Sequence, residues 1–226
     1  TLNRVIIWFQ GDSTREKILE QRLNEPWGIF VSKTGNIYVD NGKYHGQIDM
    51  WTVDATRSVP VMDTGGSCAD IFVDHNDAIY CSLHFKHQVI KTEVNVRHRP
   101  LVVAGTGTAG SAANMLQYPN GIFVDIDFTL YIADSRNHRI QRFVPGSLYG
   151  ITVCGPDSVV GVSSMAPSSI VLDAAGYMYI ADSSNRRIIA EGPNGFRPII
   201  DYHTVGSTFR PSHLRFDSHG NLYVSH

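Results

Sequence analysis

The sequence predicts an all-β fold, a β-propeller of four-stranded antiparallel blades. Three observations carry this. One strand–turn–strand pattern recurs five times, with the equivalent positions Phe30, Phe72, Phe123, Val171 and Arg215 spaced 42, 51, 48 and 44 residues apart, the range of propeller blades. The 20 glycines and 10 prolines are spread along all 226 residues, as many short strands and tight turns require. Apolar residues make up 42% and charged residues 18% of the chain, an ordinary globular composition that supports a large core.

The elements follow in order within each copy. The clearest begins Pro119-Asn120-Gly121-Ile122-Phe123-Val124-Asp125 and continues with Leu130-Tyr131-Ile132-Ala133-Asp134 and Asn137-His138-Arg139-Ile140. A second runs from Pro167 through Met178-Tyr179-Ile180-Ala181-Asp182 to Asn185-Arg186-Arg187-Ile188. Three others begin at Pro26, Cys68 and Pro211. The first turn carries Asp74, Asp125, Asp173 and Asp217, and Gly35, Gly176 and Gly220 stand where the chain must reverse. Asp bonds its own backbone and Gly accepts positive φ, which is hairpin chemistry. An outer strand is expected at Val59–Met62, Pro100–Val103, Gly150–Val153 and Arg197–Ile200. Proline is tolerated there because an edge strand has N–H positions without ladder partners.

The two ends read as one blade. The copy begun at Pro211 stops at His226, before its third strand, and the chain opens on Asn3-Arg4-Val5-Ile6, which matches Asn137-His138-Arg139-Ile140. Pro119 precedes Asn137 by 18 positions, and counting on from Pro211 through His226 to Thr1 puts Asn3 at the same interval. The expectation is a single domain over residues 1–226 with five blades, Asn3 to Phe9 closing the last one and hiding its edge. A six-bladed parent lacking one repeat has the same register and is the alternative.

The pattern Pro-x-Gly-Ile-x-Val-Asp, Leu-Tyr-Ile-Ala-Asp, Asn-His-Arg-Ile resembles the NHL repeat. Residues 119–143 and 167–190 match it closely, and residues 26–51, 68–92 and 211–226 match it with departures. The resemblance implies a propeller, usually six-bladed, serving as a binding platform for proteins or RNA. A minority of such propellers are metal-dependent lyases or hydrolases, and fold does not select among these. The resemblance also implies an extracellular setting or the ectodomain of a larger protein, with a cytoplasmic setting as the alternative.

Charge narrows the partners. The formal net charge is −2, and the densest basic stretch is Arg97-His98-Arg99. Nucleic-acid binding leans on a basic stripe, so RNA is the weaker alternative and a protein, peptide or glycan partner is expected. No apolar run approaches the roughly 20 residues of a membrane span, so no membrane insertion is expected. No leader is visible at Thr1, which reads as a mature domain or part of something longer. Cys68, Cys81 and Cys154 are too few for a disulfide framework. They read as small apolar strand residues, with Cys68 and Cys81 able to meet only if the hairpin register allows.

Recurring polar residues read as scaffold. Asp134 with Arg139, and Asp182 with Arg187, are expected to satisfy turns and each other. His45, His87 and His138 share one repeat position. Residues that break the repeat are the candidates for function. Asp70, Ser169 and His213 stand where Gly121 and Gly28 do, at the start of the inner strand, and are expected to crowd one mouth of the central channel. Asp70 and His213 there are a carboxylate–imidazole pair suited to a divalent cation, two ligands where about three are needed; no cofactor is otherwise expected. His84 and His87 fall in a turn. The stretch Gly105–Gly110 reads as a flexible connection. No nucleophile elbow or phosphate loop is present, so no catalytic residue is assigned. Long connections at 105–118, 155–166 and 202–210 are expected on one face, where loops on a rigid scaffold carry recognition. Trp27, Tyr118 and Asn120 lie beside it. These with Asp70, Ser169 and His213 form the candidate partner-binding set of a non-enzymatic scaffold. A lyase or hydrolase at the channel mouth is the alternative.

Overall fold

In a computed structural model, residues 4–9, 12–19, 23–42, 46–93, 100–156, 162, 164–204 and 206–226 are described. Each blade grows from a short apolar inner strand and three further strands reached by tight turns. The first complete blade is β3 (Ile29–Val31), β4 (Ile37–Asp40), β5 (Gln47–Trp51) and β6 (Val59–Asp63). The second is β7 (Ile71–Val73), β8 (Ala78–Leu83), β9 (Gln88–Glu93) and β10 (Leu101–Ala104). The third is β11 (Pro119–Val124), β12 (Leu130–Asp134), β13 (Arg139–Phe143) and β14 (Ile151–Cys154). The fourth is β15 (Pro167–Leu172), β16 (Met178–Asp182), β17 (Arg187–Gly192) and β18 (Gly195–Asp201). All four are antiparallel sheets in strand order. The hairpins β1 (Ile6–Phe9) with β2 (Asp12–Ile18), and β19 (His213–Phe216) with β20 (Leu222–Ser225), are two-stranded sheets.

The repeat register read from sequence holds at every blade. Phe30 pairs with Tyr38, Phe72 with Tyr80, Phe123 with Tyr131, Val171 with Tyr179 and Arg215 with Tyr223. The first turn works alike in four of them. Asp125 Oδ1 accepts the N–H groups of Asp127 (2.9 Å) and Thr129 (2.8 Å), while Oδ2 accepts the Tyr131 hydroxyl at 3.3 Å. Asp74 with Tyr80, Asp173 with Tyr179 and Asp217 with Tyr223 repeat this. The reversal needs positive φ; Gly35, Gly176 and Gly220 supply it, and Asp77 and Phe128 adopt it in blades two and three. Such a φ is unusual for a bulky side chain; the Phe128 ring packs on His75, centroids 4.3 Å apart.

The core lies between blades rather than within them. Tyr38, Ile48 and Met62 of the first blade pack on Ile71, Val73, Ile79 and Ile90 of the second. Ala78, Tyr80 and Val89 of the second pack on Ile122, Ile132 and Phe143 of the third. Each buried Ile of this kind contributes about 1.5–3 kcal/mol. Phe30, Phe72 and Phe123 stand side by side on successive inner strands, centroids 5.1 and 5.2 Å apart.

Three expectations are corrected. First, β1 pairs with β2, from Ile6 opposite Ile18, and no pairing joins β1 to β20 among the described residues; Asn3 lies outside them. The expected closing strand therefore belongs to a separate hairpin. Each end hairpin packs on its own neighbour: Val5 and Ile7 join Leu19, Leu23, Val39 and Trp51, while Leu214, Phe216 and Leu222 join Val171, Ala181 and Ile188. Second, Cys68 and Cys81 form a disulfide, Cα atoms 5.4 Å apart, because the register sets Cys81 opposite Ile71. Cys154 is buried and free, and burial pushes its thiol up to about 12. Third, the Gly105–Gly110 connection is not slack. Asn137 Nδ2 donates to Gly110 O at 2.8 Å, and Arg139 donates to the carbonyls of Ser111, Ala112 and Met115. A Cβ at Gly105 would lie 2.2 Å from His87 O, so the chain passes against its neighbour.

Candidate recognition face

The position that breaks the repeat at the start of the inner strand faces the next blade. Asp70 is buried, its Oδ2 accepting the Ile122 N–H of the third blade at 3.0 Å. Its Oδ1 accepts the Ile71 N–H at 2.9 Å and Arg215 Nη2 at 2.8 Å. Arg215, where other blades carry Phe or Val, thus ties β19 back to the second blade. Ser169 is buried too, and its Oγ accepts the Leu214 N–H at 3.0 Å. At Gly121 a Cβ would lie 2.6 Å from Ser169 Cα. Glycine or an acceptor is required here because the neighbouring inner strand arrives with an N–H to satisfy. Asp70 and Ser169 are thus both engaged by other strands, Asp70 by Ile122 of the next blade and by Arg215 of the non-adjacent β19, Ser169 by Leu214. His213 is half-buried with Nδ1 3.4 Å from Ser212 Oγ, and Asn120 is half-buried on β11.

Trp27 and Tyr118 are brought together. Trp27 precedes β3 and exposes 49% of its surface; Tyr118 precedes β11 at φ +54°. Between them the turn from β8 to β9 raises a 3₁₀ segment, His84–Lys86. Trp27 meets His84 at 6.2 Å and Phe85 at 5.8 Å between centroids. Tyr118 meets His84 at 5.0 Å, Phe85 at 6.3 Å and His87 at 4.8 Å. Phe85 is 63% exposed. Arg136 of the next blade holds its guanidinium carbon 5.9 Å from the Tyr118 centroid.

The histidines are held by backbone. His84 Nδ1 lies 3.2 Å from Pro119 O, so the ring donates there. Ser135 Oγ makes the same bond to Pro167 O one blade on, which identifies His84 as a ring placed where the repeat uses a hydroxyl. His87 Nδ1 accepts the Tyr118 N–H at 3.2 Å and so carries its proton on Nε2. His138, its equivalent, donates from Nδ1 to Met165 O at 2.6 Å. Burial, with His87 and Arg136 close by, holds the His84 imidazole below its ordinary range, so this ring is neutral at pH 7. The result is a contiguous, partly exposed aromatic cluster with a cation at one end. Sequence reasoning found Trp27 and Tyr118 but missed Phe85 and Arg136. Phe85 is legible as the apolar residue standing where the next two blades carry Arg136 and Ser184.

Comparison with known proteins gives the fold and no family. No family model matches the chain. A nidogen/laminin complex contains a chain with TM-score 0.71 and 16% identity, matching 93% of this chain and 75% of that one. A gluconolactonase from Xanthomonas campestris gives TM-score 0.68 and 13% identity over 93% of this chain and 72% of that one. Virginiamycin B lyase from Staphylococcus aureus gives 0.63 and 14% over 88% of this chain, which spans 62% of the lyase. Among curated proteins, the Arabidopsis thaliana protein suppressor of quenching 1, chloroplastic, is 26% identical over 91 residues, 37% of this chain and 9% of that protein. This chain is a β-propeller. Propellers similar to it include enzymes and a member of a protein–protein complex, so likeness alone leaves the role open.

Proposed function

We propose that this propeller is a non-enzymatic recognition module of the NHL type, and that it binds its partner on the aromatic face formed by Trp27, His84, Phe85 and Tyr118. The observation that carries the reading is where the exposed rings come from. Blade two departs from the repeat at His84 and Phe85, and both departures place rings at the surface instead of polar turn residues. Exposed aromatics on a rigid support are the residue type that dominates binding energy. The opposite choice, a cation site on Asp70 and His213, has less support, because Asp70 already accepts from Ile71, Ile122 and Arg215.

The Cys68–Cys81 bridge favours an extracellular or ectodomain setting, since such bonds persist in oxidising compartments. No helix among the described residues is long and apolar enough to cross a membrane. A propeller of similar fold occurs in a nidogen/laminin complex.

The test is capture of secreted and matrix proteins on immobilised propeller, compared with a Trp27→Ala/Phe85→Ala variant of unchanged melting temperature. A partner retained by the parent and lost by the variant is expected. Equal retention by both proteins moves the recognition face elsewhere.

A further inference from the structure

We propose that the aromatic face takes a proline-rich segment in polyproline II conformation, with an acidic residue of that segment beside Arg136. This rests on the recognition face proposed above and names what it recognises. The ring angles are the first ground. Trp27 and His84 cross at 73°, His84 and Phe85 at 88°, Phe85 and Tyr118 at 88°, His87 and Tyr118 at 84°, while Trp27 and Phe85 are tilted at 51° and His84 and Tyr118 at 56°. No pair is coplanar, so the touching rings make a ridged surface rather than the broad flat one on which a pyranose ring lies. Pyrrolidine rings pack against ridged aromatic surfaces, and polyproline II ligands dock on aromatic-lined sites with little ordering cost.

Spacing is the second ground. His84 stands 6.2 Å from Trp27 and 5.0 Å from Tyr118. The two outer rings are therefore within reach of residues one polyproline II turn apart, about 9 Å. Charge is the third. Steeply crossed rings could also cage a cation, but Arg136 already stands over Tyr118. Lys86 follows Phe85 in the same turn, with its ammonium beside Gly65 of the first blade. His84, held neutral, adds no charge of its own. A cationic ligand is repelled there and an acidic side chain is attracted.

The experiment is fluorescence anisotropy with a labelled twelve-residue peptide of Pro-Pro-Glu repeats, beside the same peptide with Gln for Glu and one with Ala for every Pro. Chitohexaose serves as an unlabelled competitor. Saturable binding of the Pro-Pro-Glu peptide is expected, with the Ala peptide at least about tenfold weaker. Trp27→Ala and Tyr118→Ala should each weaken it by about tenfold or more, as aromatic anchors do. Arg136→Ala should weaken the Glu peptide and leave the Gln peptide unchanged. Thermal melts confirm that each variant folds. Equal binding of the Ala peptide, or binding indifferent to Trp27, overturns the proposal. No peptide binding, with partner capture still dependent on Trp27 and Phe85, overturns the ligand class and keeps the face. Displacement of the captured partner by chitohexaose then identifies a glycan. Loss of Trp27 dependence in both experiments overturns the face itself.

Discussion

Blades three and four differ from blades one and two on the same backbone. In blade three, Asp134 accepts the Gln117 N–H at 2.7 Å, Asn137 Nδ2 at 2.8 Å and Arg139 Nε at 2.8 Å. Blade four repeats this with Ala166 N–H, Asn185 and Arg187 on Asp182. Blade two places Leu83 and Gln88 where the carboxylate and the guanidinium stand, changing both partners together. That pairing matters because a buried charge left alone costs several kcal/mol, whereas replacing both is tolerated. Blade one places Asn41 at the carboxylate position, bonded to Asp49 Oδ2 at 2.6 Å, and adds a new buried carboxylate, Asp40, where blades three and four carry Ala133 and Ala181. The regular blades share one ion-pair network built on a buried carboxylate. The departing blades keep the same register while presenting a different surface.

The largest expected effect is on the regular side. Arg139→Ala strands Asp134 without its cation and releases the three carbonyls of the 111–115 connection that Arg139 holds. A loss of about 3–5 kcal/mol at pH 7 is expected, read as a lower urea midpoint. Burial already raises the Asp134 carboxyl despite its hydrogen bonds from Asn137, Gln117 and Arg139. Without Arg139 it rises further, so the variant should recover part of the loss as the pH falls and Asp134 is protonated. A loss of the same size at pH 4.5 and pH 7 would show that Arg139 acts through its carbonyl hydrogen bonds and packing rather than through its charge on Asp134.

These two sides also differ in how far they could be read in advance. The Phe–Tyr register, the Asp turns, the Asp134–Arg139 and Asp182–Arg187 pairs and the outer strands were all legible, because local chemistry fixes each and the repeat states it several times. What was not legible depended on contacts between blades. Asp70 and Ser169 stand out in the sequence, yet only the neighbouring strand's N–H groups show why they are there. Phe85 carries no signal unless it is set against Arg136 and Ser184. The Cys68–Cys81 bridge needed the hairpin register. The closing strand was read from a matching motif, but motif and spacing do not determine which neighbour a terminal hairpin packs on.

Asp40 gives the next effect in size. Its carboxylate is fully buried, and neither oxygen closes a hydrogen bond of good geometry with the described residues. Burial, partly offset by the backbone amides of Cys68, Trp27 and Gly42, raises it from 3.8 to about 6. Between those values the folded chain keeps a proton that the unfolded chain has released. Stability therefore falls as the pH rises from about 4 to about 6 and stays reduced above it. Asp40→Asn keeps an acceptor facing those amides and removes the ionisation. It should raise stability by about 3 kcal/mol at pH 7.5, with the gain vanishing near pH 4. A pH-independent gain would mean that shape, not charge, distinguishes this position from Ala133.

The smallest effect on stability separates surface from scaffold most sharply. Phe85→Ser gives blade two the residue that blade four carries at Ser184. Phe85 is mostly exposed, and the blade contact of its turn runs through His84 to Pro119 O rather than through the Phe ring. The melting midpoint should therefore move by no more than about 0.5 kcal/mol equivalent. Partner retention should nevertheless fall, because Phe85 is the ring that touches Trp27, His84 and Tyr118 together. If stability dropped by several kcal/mol instead, the ring would be bracing the first three blades against one another. Blade two would then differ from blade four in how it holds its neighbours, and the aromatic face would be scaffold like the ion pairs it replaces.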